Sequence, residues 1–245
     1  MFFHLKSLLY AIMFLAIFEV VFATGNLVWQ AGIFLVLFSI YSAKKSGKSY
    51  SLATVPIIFS ISSIILFYLI HDSMDRQVFI VISSAIYYFI FLGIYRLKNY
   101  EGDQTARGII SGGLFATVFF FYAGFYGLYI NFSIPLWFLM IVFLSITFIL
   151  SYHYLRILSS DKRKVLTYSL ILGLTMAEIS WVINFWPFGY LTTGVIALIF
   201  YYVFWDLAQS YFTYKLSKRK IVINLIFFSF LIGLILFSSR WQLTV

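Results

Sequence analysis

Nine apolar runs, each approaching the ~20 residues that an α-helix needs to cross a bilayer, leave this chain little from which to build any other fold. They lie at about Leu8 to Ala23, Leu27 to Ser42, Leu52 to Ile70, Val78 to Tyr95, Ile109 to Ile130, Ile134 to Leu155, Val165 to Trp186, Gly189 to Ala208 and Ile221 to Phe237. Inside hydrocarbon every backbone N–H and C=O must find its partner within the segment, so such runs predict helices. Charged residues are 10% of the chain, against about a quarter in an ordinary soluble domain, so the apolar surplus faces lipid. No connecting segment is long enough to bury a core of its own. The expectation is an all-α polytopic transmembrane helix bundle forming one domain over residues 1–245.

The basic residues orient this bundle. Lys6; Lys44, Lys45 and Lys48; Arg96, Lys98 and Arg107; Arg156, Lys162, Arg163 and Lys164; and Lys215, Lys218, Arg219 and Lys220 all fall on the side of the N-terminus. Only Arg76 and Arg240, of 17 Lys and Arg, fall on the other. The positive-inside rule then predicts a cytoplasmic N-terminus and, with nine spans, a C-terminus outside. The net charge of +9 is thereby assigned to cytoplasmic loops and anionic headgroups, not to nucleic acid. Outside, Thr24-Gly25-Asn26, Asn131-Phe132-Ser133 and Pro187-Phe188 read as tight turns. His71 to Arg76 reads as a solvated, acidic outer loop. The first run also admits a second reading, a signal peptide ending at Val21-Phe22-Ala23, which Glu19 within the apolar stretch argues against.

Two acidic residues lie well inside apolar runs, Glu19 and Glu178. An ionised carboxylate against lipid costs several kcal/mol, so both are expected to face the bundle interior. Tyr168, Ile171, Thr175, Glu178 and Trp181 follow helical spacing and share one face, with Glu178 ~12 Å from the helix end near Trp186. The candidate functional residues are therefore Glu178, Glu19, Trp181, Asn184 and Thr175. The chemistry open to them is a protonatable or cation-binding site, or neutral carboxyls bridging helices. Asn26, Trp29, Gln30, Asn184 and Trp186 otherwise read as headgroup-level residues. Asp206 is expected to pair with Lys215 or Lys218, and His153 to snorkel beside Arg156. Gly112, Gly113, Ala116, Ala123, Gly124 and Gly127 predict close helix contacts in the fifth run, with Tyr122, Tyr126 and Tyr129 packing on another stripe.

No cofactor is expected. Without cysteine there is no thiolate ligand or nucleophile, His4, His71 and His153 are isolated, and no lysine in an apolar run could form a Schiff base. Nor is there a Walker A loop or an intact serine-nucleophile motif.

Glu178-Ile179-Ser180-Trp181, Trp186-Pro187-Phe188-Gly189-Tyr190, Tyr201-Tyr202, Lys218-Arg219-Lys220 and Arg240-Trp241 resemble an uncharacterised family of small bacterial polytopic membrane proteins. The resemblance covers about the last third of the chain and implies a multi-pass protein of the bacterial inner membrane. It implies no activity. Three functions stay open: proton- or cation-linked transport of a small solute through Glu178; a structural or accessory subunit with a membrane-protein partner or a second copy; and an intramembrane enzyme acting on lipid. The first and the seventh–eighth hairpins each carry a Glu before the turn and a Trp near it, Trp29 or Trp186. A repeated hairpin with the two carboxyls around one outer-leaflet cavity is therefore a further expectation.

Overall fold

The computed structural model describes residues 2–25, 27–46, 53–100, 103–213 and 216–238, and these form nine α-helices and no strand. They are α1 (Phe2–Thr24), α2 (Val28–Ser46), α3 (Thr54–Leu69), α4 (Ser73–Asn99), α5 (Gln104–Phe132), α6 (Leu136–Leu158), α7 (Lys162–Ile183), α8 (Tyr190–Phe212) and α9 (Lys218–Ser238). Asn26, Lys48, Lys215, Arg240 and Trp241 lie outside the described residues. Seven helices, α1 and α4 to α9, are long and apolar enough to cross a membrane. Of the other two, α2 ends in Lys44 and Lys45, and α3 is apolar but has only 16 residues, ~24 Å at 1.5 Å per residue.

Helices outrun the apolar stretches where a polar residue caps them. The outer connection read as a solvated loop is largely the first turn of α4: the Asp72 carboxylate accepts from the backbone N–H of Met74 at 2.7 Å and of Asp75 at 3.3 Å. That occupies two amides with no partner inside the helix. Arg76 then turns back, its Nε donating to the Ile70 carbonyl at 2.6 Å and its guanidinium lying over the Phe67 ring. Asp161 caps α7 in the same way. The turn after α1 uses Gly25 at φ 69°, and the turn after α5 falls on Ser133 at φ 50°, because α5 continues through Phe132.

The chain divides into two compact units, residues 1–124 and 125–245, with the boundary inside α5. In the first unit α1 packs along α4 and α2 along α3. Its centre is aromatic: Phe14 stacks on Tyr87 at 4.3 Å between centroids, and Phe120 lies against Phe59 and Phe79 at 5.3 and 5.1 Å. Serines lie between these rings and the helix backbones. The Ser39 hydroxyl bonds both Ser60 and the Tyr87 hydroxyl at 2.9 Å, and Ser60 donates to the Pro56 carbonyl. The close contact expected of the fifth run is present at Gly113, where a Cβ would stand 2.5 Å from Ile90 Cγ1, whereas Gly112 faces open space.

The α4–α5 connection is held by Asp103, which accepts from the amides of Thr105 and Ala106 and pairs with Arg96 at 2.8 Å. Burial alone would raise this carboxyl. The Ala106 amide, the Arg96 side chain and the Thr105 amide together hold it below its usual value of 3.8. A depressed carboxylate contributes stability that is fully present above the unfolded value and lost as pH falls through the folded one. Asp103→Asn, which keeps a cap acceptor but not the ion pair, should therefore melt below wild type at pH 6. The gap should close on acidification below about pH 4, as thermal unfolding in detergent at stepped pH would measure.

In the second unit α6 and α7 are the most closely packed pair. A Cβ on Gly173 would stand 2.9 Å from the Leu144 carbonyl oxygen, so only glycine lets these backbones approach. Ile183, Phe188 and Ile196 close the α7–α8 turn, with Trp186 packed against them.

Candidate functional site

The buried side of α7 is Val165, Ser169, Leu172, Gly173, Met176, Ala177, Ser180 and Ile183. Its outward side is Leu170, Ile171, Leu174, Glu178, Trp181, Val182 and Phe185, all exposed. The two sets alternate at helical spacing, so one face is fixed against α6 and α8 and the other is left uncovered.

Glu178 lies on the uncovered face, which corrects the expectation that it points into the bundle. The predicted grouping holds, since Ile171, Glu178 and Trp181 share the exposed side and Thr175 is half-buried beside them. Its direction is reversed. One helical turn from Glu178 stand Leu174, Thr175, Trp181 and Val182, so on its own helix the Thr175 hydroxyl and the Trp181 indole N–H are the polar groups nearest it. Among the described residues no hydrogen bond or ion pair reaches the Glu178 carboxyl. Trp181 sets its ring edge-on to Phe185 at 5.3 Å, forming an aromatic shelf next to the carboxyl. Because α7 ends at Ile183 and not near Trp186, Glu178 is ~7.5 Å from the helix end, shallower than the sequence suggested.

Asn184 does not join it. It caps α7, and its side-chain oxygen accepts from the buried Tyr126 hydroxyl at 3.1 Å, tying the end of α7 to α5. Glu19, five residues before the end of α1 as Glu178 is before the end of α7, has a different environment. It is half-buried and accepts from Gln77 Nε2 of α4 at 3.3 Å. Gln77 escaped the sequence reading because it sits one residue outside the fourth apolar run. Glu19 belongs to the first unit and Glu178 to the second. Trp29 is 83% exposed.

A second polar seam runs between α6, α8 and α9. Ser151 meets the Tyr201 hydroxyl at 3.2 Å, the Tyr154 hydroxyl donates to Gln209, and Asn224 Nδ2 donates to the Asp206 carboxylate. Asp206, expected to pair with a loop lysine, thus has an amide partner on α9 that the sequence did not single out. Partnered in this way, a carboxyl inside a helix bundle bridges neighbouring helices. His153 Nδ1 is buried without a hydrogen-bond partner. Among the described residues no three His, Asp or Glu side chains come together as a metal site.

No curated protein and no solved structure matches this chain. A family model does match, over residues 40–238, which is far more of the chain than the last third on which the resemblance rested. The matched span includes Glu178, Asp206 and all of α3 to α9, and leaves out α1 and Glu19. The chain therefore belongs to the family described as proteins of unknown function, DUF5656.

Proposed function

We propose that this multi-pass membrane protein is a structural or accessory subunit of a membrane assembly, docking through the outward face of α7 onto a partner helix that offers Glu178 a cation or a hydrogen-bond donor. The observation that carries this is the exposure of Glu178 on an otherwise apolar face. A carboxyl there is costly against hydrocarbon and is relieved by a donor from outside the chain. Trp181 and Phe185 supply the rigid aromatic anchors that interfaces favour. A transport role for Glu178 would need a polar path within the chain leading to it, whereas of its neighbours Leu174, Thr175, Trp181 and Val182 only the Thr175 hydroxyl and the Trp181 indole N–H are polar.

The test is a photo-cross-linking amino acid at Trp181 in native membranes, with a second at Phe230, also exposed, as control. A protein adduct should form from position 181 and not from 230. Its yield should fall ~tenfold in a Glu178→Leu background, the equivalent of ~1.4 kcal/mol of association, while expression is unchanged. An adduct of twice the chain's mass would identify the partner as a second copy. Lipid adducts alone, or a yield indifferent to residue 178, would overturn the proposal. Proton flux in liposomes abolished by Glu178→Gln would replace it with transport.

A further inference from the structure

At the end of the second unit that carries its basic residues, the α6–α7 connection, the first turn of α7, the last turn of α8 and Leu216 beyond it line a half-open cavity of about 610 Å³. This lies within the ~300–1,000 Å³ range of small-ligand sites. Its lining is polar at Ser159, Ser160, Asp161 and Lys164, forming a polar wall, and apolar at Leu158, Phe212 and Leu216, where Phe212 and Leu216 form an apolar wall from the far end of α8. Tyr211 also lines it, and the stacking of its ring on Tyr168 at 4.8 Å ties the end of α8 to α7.

The polar wall offers a matched pair of functions. Lys164 Nζ approaches Asp161 at 3.5 Å, but both side chains are open, 59% and 44% exposed. The ammonium keeps protons for a second acceptor, and the carboxylate keeps lone pairs for a second donor. Asp161 is fixed in place because it caps α7 through the Lys164 amide. Arg156 anchors the loop by donating to the Ser160 carbonyl at 2.9 Å. Lys162, Arg163, Lys218 and Arg219 are all exposed at this end, so the local field favours a ligand with net negative charge. A ligand that satisfies all of this carries an anionic group for Lys164, hydroxyls for Asp161 and Ser160, and an apolar body for Leu158, Phe212 and Leu216.

We propose that this cavity binds the headgroup of an anionic, hydroxylated phospholipid of the phosphatidylglycerol type, phosphate on Lys164 and glycerol hydroxyls on Asp161, with the first acyl carbons along the apolar wall. Basic pockets beside transmembrane helices suit such headgroups, and the site acts independently of Glu178.

The experiment uses the full chain in nanodiscs of phosphatidylcholine doped with equal amounts of phosphatidylglycerol or phosphatidylethanolamine, followed by native mass spectrometry and thermal unfolding. Phosphatidylglycerol should be retained preferentially and raise the melting temperature. Lys164→Gln should lower its retention ~tenfold, Ser160→Phe should do the same by filling the cavity, and Lys218→Gln should leave at least half of it. Equal retention of all three lipids, preference for phosphatidylethanolamine, or a preference unaffected by both cavity variants would overturn the proposal. Because Lys164 and Ser160 are exposed at a helix start and in a loop, the two variants test the site by different means, and unaltered unfolding in pure phosphatidylcholine checks that each folds.

Discussion

Cysteines placed at Ser73 and Asn131 should react with a membrane-impermeant maleimide in intact cells, while those at Asn99, Ser160 and Lys45 should react only after permeabilisation. All five positions are exposed, and the chain has no cysteine of its own to confuse the readout. The expected contrast is all-or-none, because it follows from which side of the bilayer each helix end occupies and not from a small energy difference. Charge sets the direction, and geometry within the first unit sets the alternation. Glu19, near the end of α1, meets Gln77, near the start of α4, and the Lys98 ammonium in the last turn of α4 reaches the Lys45 carbonyl at the end of α2. The chain therefore travels the length of α4 between the end of α1 and the end of α2, as a spanning α2 must. If α2 and α3 both failed to cross, the four positions from Ser73 onward would keep their sides and only Lys45 would become reactive. If one of them failed, every later position would invert, placing Arg96, Lys98 and the cluster from Arg156 to Lys164 outside. Labelling at Asn99 and Ser160 in intact cells would sink the assignment.

The fold was legible because a bilayer dictates the length of an apolar run: among the described residues each of the nine runs holds a helix, seven of them long and apolar enough to cross. Helix ends were less legible because caps decide them. Asp72 starts α4 five residues before its apolar run begins, and Asn184 ends α7 before the run is exhausted. The site was legible in one respect and misread in another. Helical spacing placed Ile171, Glu178 and Trp181 together, since 3.6-residue periodicity is a property of the backbone. It could not say which way that face points. In α7 the buried set contains Ser169 and Ser180 and the exposed set contains Leu170, Ile171 and Leu174, so polarity does not mark the inside as it does in a soluble helix. Small residues mark it instead: Gly173, Ala177 and Ser180 lie on the buried side at the spacing that lets α6 approach. Reading α7 for small residues rather than for carboxylates would have turned Glu178 outward. The same signal, serines at helical intervals in α2 and α3, was available for the Ser39–Ser60–Tyr87 cluster.

That cluster yields a large stability change expected of a single core substitution, and it separates two accounts of what holds the first unit together. Tyr87 is fully buried, stacked on Phe14, edge-on to Phe91 at 4.8 Å, and hydrogen-bonded to Ser39. Lipid tails are as apolar as the core, so removing the ring forfeits little transfer free energy, and the loss lies in packing. With ~24 cal/mol per Å³ of unfilled cavity and on the order of 100 Å³ removed, Tyr87→Ala should cost roughly 2–3 kcal/mol. Tyr87→Phe removes only the hydroxyl. Ser39 retains Ser60 as a partner, and hydrogen bonds between membrane helices average ~0.6 kcal/mol, so this variant should lose about a quarter as much. Unfolding in mixed micelles of increasing denaturing detergent would measure both. Equal losses would assign the stability of the unit to the buried hydroxyls, and a small loss in both would show that the neighbouring rings, Phe14, Phe59 and Phe91, close over the gap.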